Sequence, residues 1–126
     1  FATLSGAVVV ALGHVATGIM GTNEILIDKI KSSSNITGEK VWEFPLWDEY
    51  LDQVKSNIAD VKNLGAPGQA GSIAGGAFLH SFVKKDIPWC NFDIAGSAWG
   101  NKNLPYQNKG LATGEMIRLV IDLLKI

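Results

Sequence analysis

The stretch WCNFDIA, residues 89–95, decides the fold class of this 126-residue chain. Its side chains divide between two faces, with Cys90, Phe92 and Ile94 on one and Asn91, Asp93 and Ala95 on the other. This alternation predicts a β-strand. The short β-branched run AVVVAL, residues 7–12, predicts a second strand that is buried on both faces.

Helical patterns separate and follow these two strands. Helices are predicted over residues 24–31 after an Asn23 N-cap, from Pro45 onward, from Ser72 onward and from Gly114 to the C-terminus. The second of these is amphipathic, because its apolar side chains recur at helical spacing: Trp47, Tyr50, Leu51 and Val54. Residues 99–113 lack periodicity and are predicted as a loop. Strands that alternate with helices predict an α/β domain.

Composition and charge exclude several classes of partner. With 11 basic and 12 acidic residues, the net charge is -1 and no basic patch for nucleic acid is visible. The apolar run 7–12 is too short to cross a bilayer. The only cysteine, Cys90, cannot form an internal disulfide and fits a reducing compartment. No targeting signal is recognisable, so we expect a cytoplasmic protein without membrane or nucleic-acid partners.

The stretch GAPGQAGSIAGGAFLH, residues 65–80, concentrates glycine ahead of an apolar helix. Glycine-rich loops at helix starts often bind phosphate. No lysine follows before Lys84 and no confident strand precedes the stretch, so it fits neither nucleotide-binding pattern. We expect a tight turn and then a thin helix that lies close against the sheet. Gly75 and Gly76 each cost such a helix about 1 kcal/mol relative to alanine, so a close neighbour must offset them.

The chemically reactive side chains do not form a complete active site. His14 and His80 have no partner at metal-ligand spacing and are predicted to make ordinary hydrogen bonds. Cys90 is predicted to be a small buried hydrophobe and not a nucleophile. Asp60 and Asp93 are lone carboxylates, which more often cap or pair than bind metal. From the residues alone, we predict no catalytic residue and no metal ligand.

Five segments together resemble the leucyl aminopeptidase (cytosol aminopeptidase) family. ATLSGA, residues 2–7, resembles A-T-L-T-G-A, and TGEKVWEFPL, residues 37–46, is similar to T-G-[DE]-x-[VL]-W-x-x-P-L. SNIADVKNLG, residues 56–65, is similar to S-x-x-A-D-[VLM]-x-N-x-G. AFL at residues 77–79 and DIAG at residues 93–96 match two further segments. The order and spacing hold from residue 2 to the C-terminal helix, so the resemblance covers essentially the whole chain.

The resemblance implies the C-terminal portion of a three-layer αβα catalytic domain with a mixed, mainly parallel sheet. It implies that residues 1–126 are the C-terminal half of that domain, without its metal-binding half and N-terminal domain. Family members bind two divalent metal ions, Mn or Zn, through a Lys, three Asp and a Glu, all upstream of A-T-L-T-G-A. The resemblance therefore implies no metal ligand and no cofactor within residues 1–126, and an inactive isolated fragment.

The resemblance also implies substrate-binding positions. Thr3, Leu4 and Gly6 match a loop that offers backbone groups to the substrate, and at Leu4 also to a bound bicarbonate. Ala95 and Ala98 match positions that line the pocket for the first side chain of the peptide. Their small side chains would leave room for a bulky apolar residue such as leucine. Ser5 stands where the family more commonly has Thr, which is a mild departure.

The implied function is part of a metal-dependent leucyl aminopeptidase, which hydrolyses the N-terminal bond of peptides. The family assembles as hexamers, so a homo-oligomer is expected. The alternative hypothesis is a non-catalytic interaction, scaffold or DNA-binding module built on the same half-fold. The near-neutral charge of the chain argues weakly against the DNA-binding variant.

Overall fold

The computed structural model describes residues 1–99, 104–107 and 110–125. The helices in these ranges are α1 (Ala7–Leu12), α2 (Glu24–Thr37), α3 (Asp48–Asp52), α4 (Gly71–His80) and α5 (Ile117–Leu123). The strands in these ranges are β1 (Thr17–Gly21), β2 (Val41–Glu43) and β3 (Cys90–Asp93). The prediction of an α/β fold is confirmed. The predicted loop 99–113 lies partly outside the described residues, and within the described part Trp99 bridges Ala112.

The sheet is mixed and has the strand order β2-β1-β3. β1 runs parallel to β2 and antiparallel to β3. On the far side of β3, Ala2 forms a parallel bridge with Asp93. The pairing of β1 with β2 through the intervening α2 is the parallel crossover that an α/β fold requires.

Helices pack on both faces of this sheet, and neighbouring residues of β1 show the two sides. Ile19 belongs to the main apolar cluster, with side chains from α2 and α5: Ile27, Ile30 and Leu119. Met20 points the other way, toward α4. Its side chain occupies the space that a Cβ on Gly76 would need. Because successive side chains of a strand face opposite sides, β1 joins two helical layers. The three-layer αβα arrangement is confirmed.

The strand predicted over residues 7–12 is wrong, because these residues form α1. The Gly6 carbonyl accepts the N–H groups of Val9 and Val10, at 3.1 and 3.3 Å. Gly13, with φ of 66°, ends the helix. Only Val8 of α1 is buried, and it packs toward Gly18 of β1. The packing of Val8 against β1 therefore outweighs the β-propensity of the run.

The central strand is β1, which the sequence pattern does not reveal. Its sequence, TGIMG, contains two glycines, which normally weaken a strand. In the structure these glycines allow close approach. A Cβ on Gly18 would lie 2.6 Å from Cε2 of Phe44, and one on Gly21 would lie 2.6 Å from the carbonyl oxygen of Trp89. The close approach of neighbouring residues therefore requires the glycines of β1. The same glycines explain why the sequence pattern does not predict this strand.

The helix predicted over residues 24–31 is present but longer. The side chain of Asn23 accepts the N–H of Leu26 at 2.9 Å, which confirms the N-cap. α2 then continues to Thr37, where Gly38, with φ of 75°, ends it. Hydroxyl groups accommodate the added turns, because Thr37 donates to the Ser33 carbonyl at 2.8 Å. Side-chain hydrogen bonds of this kind allow polar residues inside a helix.

The helix predicted from Gly114 to the C-terminus spans only Ile117–Leu123. The bounds of α3 and α4 also differ from the prediction. α3 begins at Asp48, not near Pro45, because Trp47 is extended with ψ of 162° and holds the N-cap position. Its carbonyl accepts the N–H of Tyr50 at 2.9 Å. Val54 is buried but lies beyond the end of α3. α4 is confirmed, although Ser72 does not cap it and the N-cap position is held by Ala70 with φ of 43°.

Glu39 links α5 to the body of the domain. Its side chain is 1% exposed, and Oε2 accepts the N–H of Leu119 at 2.8 Å. Oε1 pairs with Nη2 of Arg118 at 3.0 Å. The N–H groups of a first helical turn have no partner within the helix, so the Glu39 carboxylate satisfies one of them from outside. Burial and then the charge of Glu39 raise the pKa of nearby Glu115.

Candidate functional site

The two predicted substrate-binding segments run side by side at one edge of the sheet. The N–H of Ala2 donates to the Phe92 carbonyl at 2.9 Å, and the N–H of Ile94 donates to the Ala2 carbonyl at 2.9 Å. Because this bridge is parallel, the chain after Ala2 and the chain after Asp93 leave it in the same direction. Residues 3–6 and the turn 94–98 therefore start side by side.

Thr3, Leu4 and Gly6 are exposed on the first of these segments. Leu4 extends toward α4, and its Cδ1 lies 3.0 Å from the position of a Cβ on Gly75. Gly6 precedes α1 directly. Between them, the hydroxyl of Ser5 accepts the N–H of Ala7 at 3.2 Å, so the segment turns sharply into the helix.

Ala95 and Ala98 are half-buried at the two ends of the turn that follows β3. The N–H of Ala98 donates to the Ile94 carbonyl at 2.8 Å, which closes the turn. The N–H of Ala95 donates to Oδ1 of Asp93 at 3.3 Å. At the other end, the carbonyl of Ala98 accepts the N–H of Thr113 at 3.0 Å.

Polar side chains from distant parts of the chain form hydrogen bonds with this turn and with Asp93, and the sequence reasoning missed these contacts. Ser72 donates to Oδ2 of Asp93 at 2.5 Å, and Nδ1 of His14 lies 2.8 Å from the Gly96 carbonyl oxygen. The hydroxyls of Thr17 and Ser97 are 2.7 Å apart and buried. These residues come from distant parts of the chain and share no spacing, so no sequence pattern could have grouped them. The predicted hydrogen-bonded role of His14 is confirmed.

A groove of about 880 Å³ lies beside the first segment, between α1 and the glycine-rich stretch. Its walls are mainly apolar and include Leu4, Val10, Leu64, Pro67 and Phe78. Of the five predicted substrate-binding residues, Leu4 lines this groove, whereas Thr3, Gly6, Ala95 and Ala98 do not. The residues 65–80 that suggested a phosphate loop thus form one wall of an apolar groove.

The remaining reactive side chains, His80 and Cys90, make packing contacts. Within the described ranges, no three His, Cys, Asp or Glu side chains are grouped so that they could hold a metal ion. His80 packs against Trp89, with ring centres 5.6 Å apart. Cys90 packs against the main apolar cluster, and burial raises its pKa to about 12. In the part of the chain that the structure describes, no helix is long and apolar enough to cross a membrane.

Comparison with known proteins relates this fold to one enzyme family. The family model for the catalytic domain of the cytosol aminopeptidase family matches residues 1–121. A probable cytosol aminopeptidase of Geotalea uraniireducens is 51% identical over 124 residues, which are 98% of this chain and 24% of that protein. One of Geobacter sulfurreducens is 48% identical, again over 98% of this chain and 24% of that protein.

A solved structure gives the same answer. A mutant of tomato leucine aminopeptidase matches with a TM-score of 0.85 and 34% identity, covering 96% of this chain and 23% of that one. The chain spans about a quarter of the length of the curated relatives it matches. The family match, the identity to curated relatives and the shared fold agree, and the chain belongs to the cytosol aminopeptidase family.

Proposed function

We propose that this chain is the C-terminal half of the catalytic domain of a leucyl aminopeptidase and forms one wall of its substrate pocket. The observation that supports the proposal is the parallel Ala2–Asp93 bridge, from which residues 3–6 and the turn 94–98 start side by side. The backbone of Thr3, Leu4 and Gly6 would bind the peptide substrate. Ala95 and Ala98 would face its first side chain. The small alanines favour leucine or a similar bulky apolar residue at that position.

The complete protein, in this proposal, is a cytoplasmic hexamer that uses two divalent metal ions, Mn or Zn, to cleave the N-terminal bond of peptides. The described residues of this chain do not fit those ions, because they include no group of three metal-ligating side chains. We therefore assign no step of the hydrolysis to this chain. Its contribution is to bind and orient the substrate.

Enlarging the pocket wall in the complete aminopeptidase polypeptide tests the proposal. Ala95→Leu and Ala98→Leu should lower kcat/KM for leucine p-nitroanilide by about tenfold or more, and for alanine p-nitroanilide by much less, because a filled pocket rejects the larger side chain. Ala59→Leu, at an exposed position outside this site, is the matched control. An equal loss for both substrates would contradict the assigned wall, as would an unsubstituted enzyme that prefers N-terminal Gly or Asp.

The chain by itself provides a second test. We expect residues 1–126 to bind no stoichiometric Mn²⁺ or Zn²⁺ in calorimetry and to release no leucine from leucine p-nitroanilide. Turnover by this chain alone would overturn the assignment of catalysis to the rest of the protein. An inactive complete polypeptide would favour the interaction or scaffold alternative.

A further inference from the structure

Asp93 carries a buried carboxyl group that contacts two separate parts of the molecule. The residue is 3% exposed. Its Oδ2 accepts a hydrogen bond from the Ser72 hydroxyl at 2.5 Å, and its Oδ1 accepts the N–H of Ala95 at 3.3 Å. Ser72 belongs to α4, and Ala95 begins the turn after β3. The carboxyl group therefore connects a helix to that turn.

The backbone of Asp93 also contacts two parts of the molecule. Asp93 pairs with Gly18 of the central strand on one side and bridges Ala2 on the other. Thr3 follows Ala2 directly. One residue thus stands at the junction of both proposed wall segments. A buried polar side chain whose hydrogen bonds are all formed tends to keep a single conformation.

We propose that Asp93 is a positioning residue, which sets the place of Ala95 and thereby the width of the pocket for the first side chain of the substrate. This inference rests on the function proposed above. Asp93 touches no substrate in this proposal and acts only through Ala95.

The far end of the turn is held independently. The hydroxyl of Thr113 donates to the Ser97 carbonyl at 2.6 Å, and its N–H donates to the Ala98 carbonyl at 3.0 Å. Loss of the Asp93 contacts should therefore release the Ala95 end while Ala98 stays in place. The expected effect is a change in fit for the substrate side chain, without loss of the whole turn.

The test compares Asp93→Ala with Asp93→Asn in the complete polypeptide. Asparagine keeps an acceptor for the Ala95 N–H and can donate to the Ser72 oxygen, whereas alanine does neither. We expect Asp93→Ala to lower the ratio of kcat/KM for leucine over alanine p-nitroanilide by about tenfold, mainly through KM. Asp93→Asn should leave the ratio close to that of the unsubstituted enzyme, because both hydrogen bonds can still form. A smaller fraction of folded enzyme lowers kcat for both substrates equally and leaves the ratio unchanged.

Ser72→Ala is the second variant, for use where Asp93→Ala does not fold. It removes only the Oδ2 contact and should shift the same ratio by about threefold. Asp86→Ala, at an exposed position, is the matched control and should leave the ratio unchanged. Faster hydrogen exchange of the peptide 94–98 in the Asp93 and Ser72 alanine variants would show that the turn is released.

The outcomes separate the two proposals. An active enzyme whose leucine-to-alanine ratio is changed neither by Asp93→Ala nor by Ser72→Ala overturns the positioning role alone. An unsubstituted enzyme that releases no amino acid from either substrate overturns the proposed function, and the positioning role with it.

Discussion

Cys90 illustrates how the fold changes the chemistry of a single residue. It begins β3 and packs against the apolar cluster that contains Ile19 and Phe92. Burial raises its pKa from the ordinary 9.0 to about 12, because the thiolate would lose its hydration. The expectation of a small buried hydrophobe is confirmed in its contacts with the core, although the residue is only partly buried. We therefore expect the Cys90 thiol to be unreactive in the folded chain.

The reactivity of this thiol gives a prediction that depends on pH. At pH 8 the thiolate fraction of Cys90 should be about a thousandfold lower in the folded chain than in the unfolded chain, as the two pKa values require. Labelling with a disulfide reagent should therefore be slow in buffer and fast in concentrated urea. The raised pKa also contributes stability that is present below pH 9 and lost as the pH rises toward 12.

The control for this labelling is an exposed thiol in the same chain. Ser32 is exposed on α2, so Ser32→Cys combined with Cys90→Ala should react at nearly the same rate with and without urea. Native labelling of Cys90 as fast as that of the exposed thiol would contradict the burial assigned to it.

Among the elements, α4 depends most directly on small residues. A Cβ on Gly76 would overlap Sδ of Met20 and lie 2.8 Å from its Cγ. Met20 is fully buried, so it has little freedom to move aside. Gly75 faces Leu4 instead, and Leu4 is 49% exposed. The neighbour that offsets Gly76 is therefore the central strand, which confirms the close packing of this thin helix on the sheet.

Alanine substitutions at the two glycines should have opposite effects on stability. Gly76→Ala gains helix propensity but forces Met20 out of place, and we expect a net loss of about 1–3 kcal/mol. Gly75→Ala gains up to about 1 kcal/mol of propensity, and the exposed Leu4 can shift to accommodate the methyl group. Urea unfolding measures both changes. Equal effects of the two substitutions would contradict the packing of α4 on β1.

At the scale of the whole molecule, some of the exposed apolar side chains share one groove. Large apolar side chains are strongly exposed, among them Val10 at 90%, Leu64 at 73% and Ile58 at 99%. Val10 and Leu64 face the same groove of about 880 Å³. Exposed apolar patches of this kind commonly mark interaction surfaces or promote association. The strand β2 and the bridge at Ala2 also form the two edges of the described sheet.

We therefore expect residues 1–126, purified alone, to self-associate. Light scattering should give a mass above that of the 13.5 kDa monomer and rising with concentration. Replacing Val10 and Leu64 together by serine should lower the mass if the groove drives association, and the same change at Ile58 serves as the control. A monomer at every concentration would contradict this prediction.

Some features of the site were accessible from the sequence and others were not. The segments around Thr3 and Ala95 were found through family motifs, and the structure sets them side by side. The polar contacts behind the turn were not found, because Thr17, Ser72 and Thr113 are isolated hydroxyl residues in the sequence. Only folding brings them together, so no local pattern could predict their roles.

The sequence alone determined the family, the α/β class, a strand within residues 89–95 and a helix within the glycine-rich stretch. These depend on motifs and on periodicity, which are local properties of a chain. The tertiary structure decided that residues 7–12 form a helix and that Thr17–Gly21 forms the central strand. The reason is that packing partners distant in sequence, such as Phe44 and Val8 against Gly18, select these conformations against local propensity.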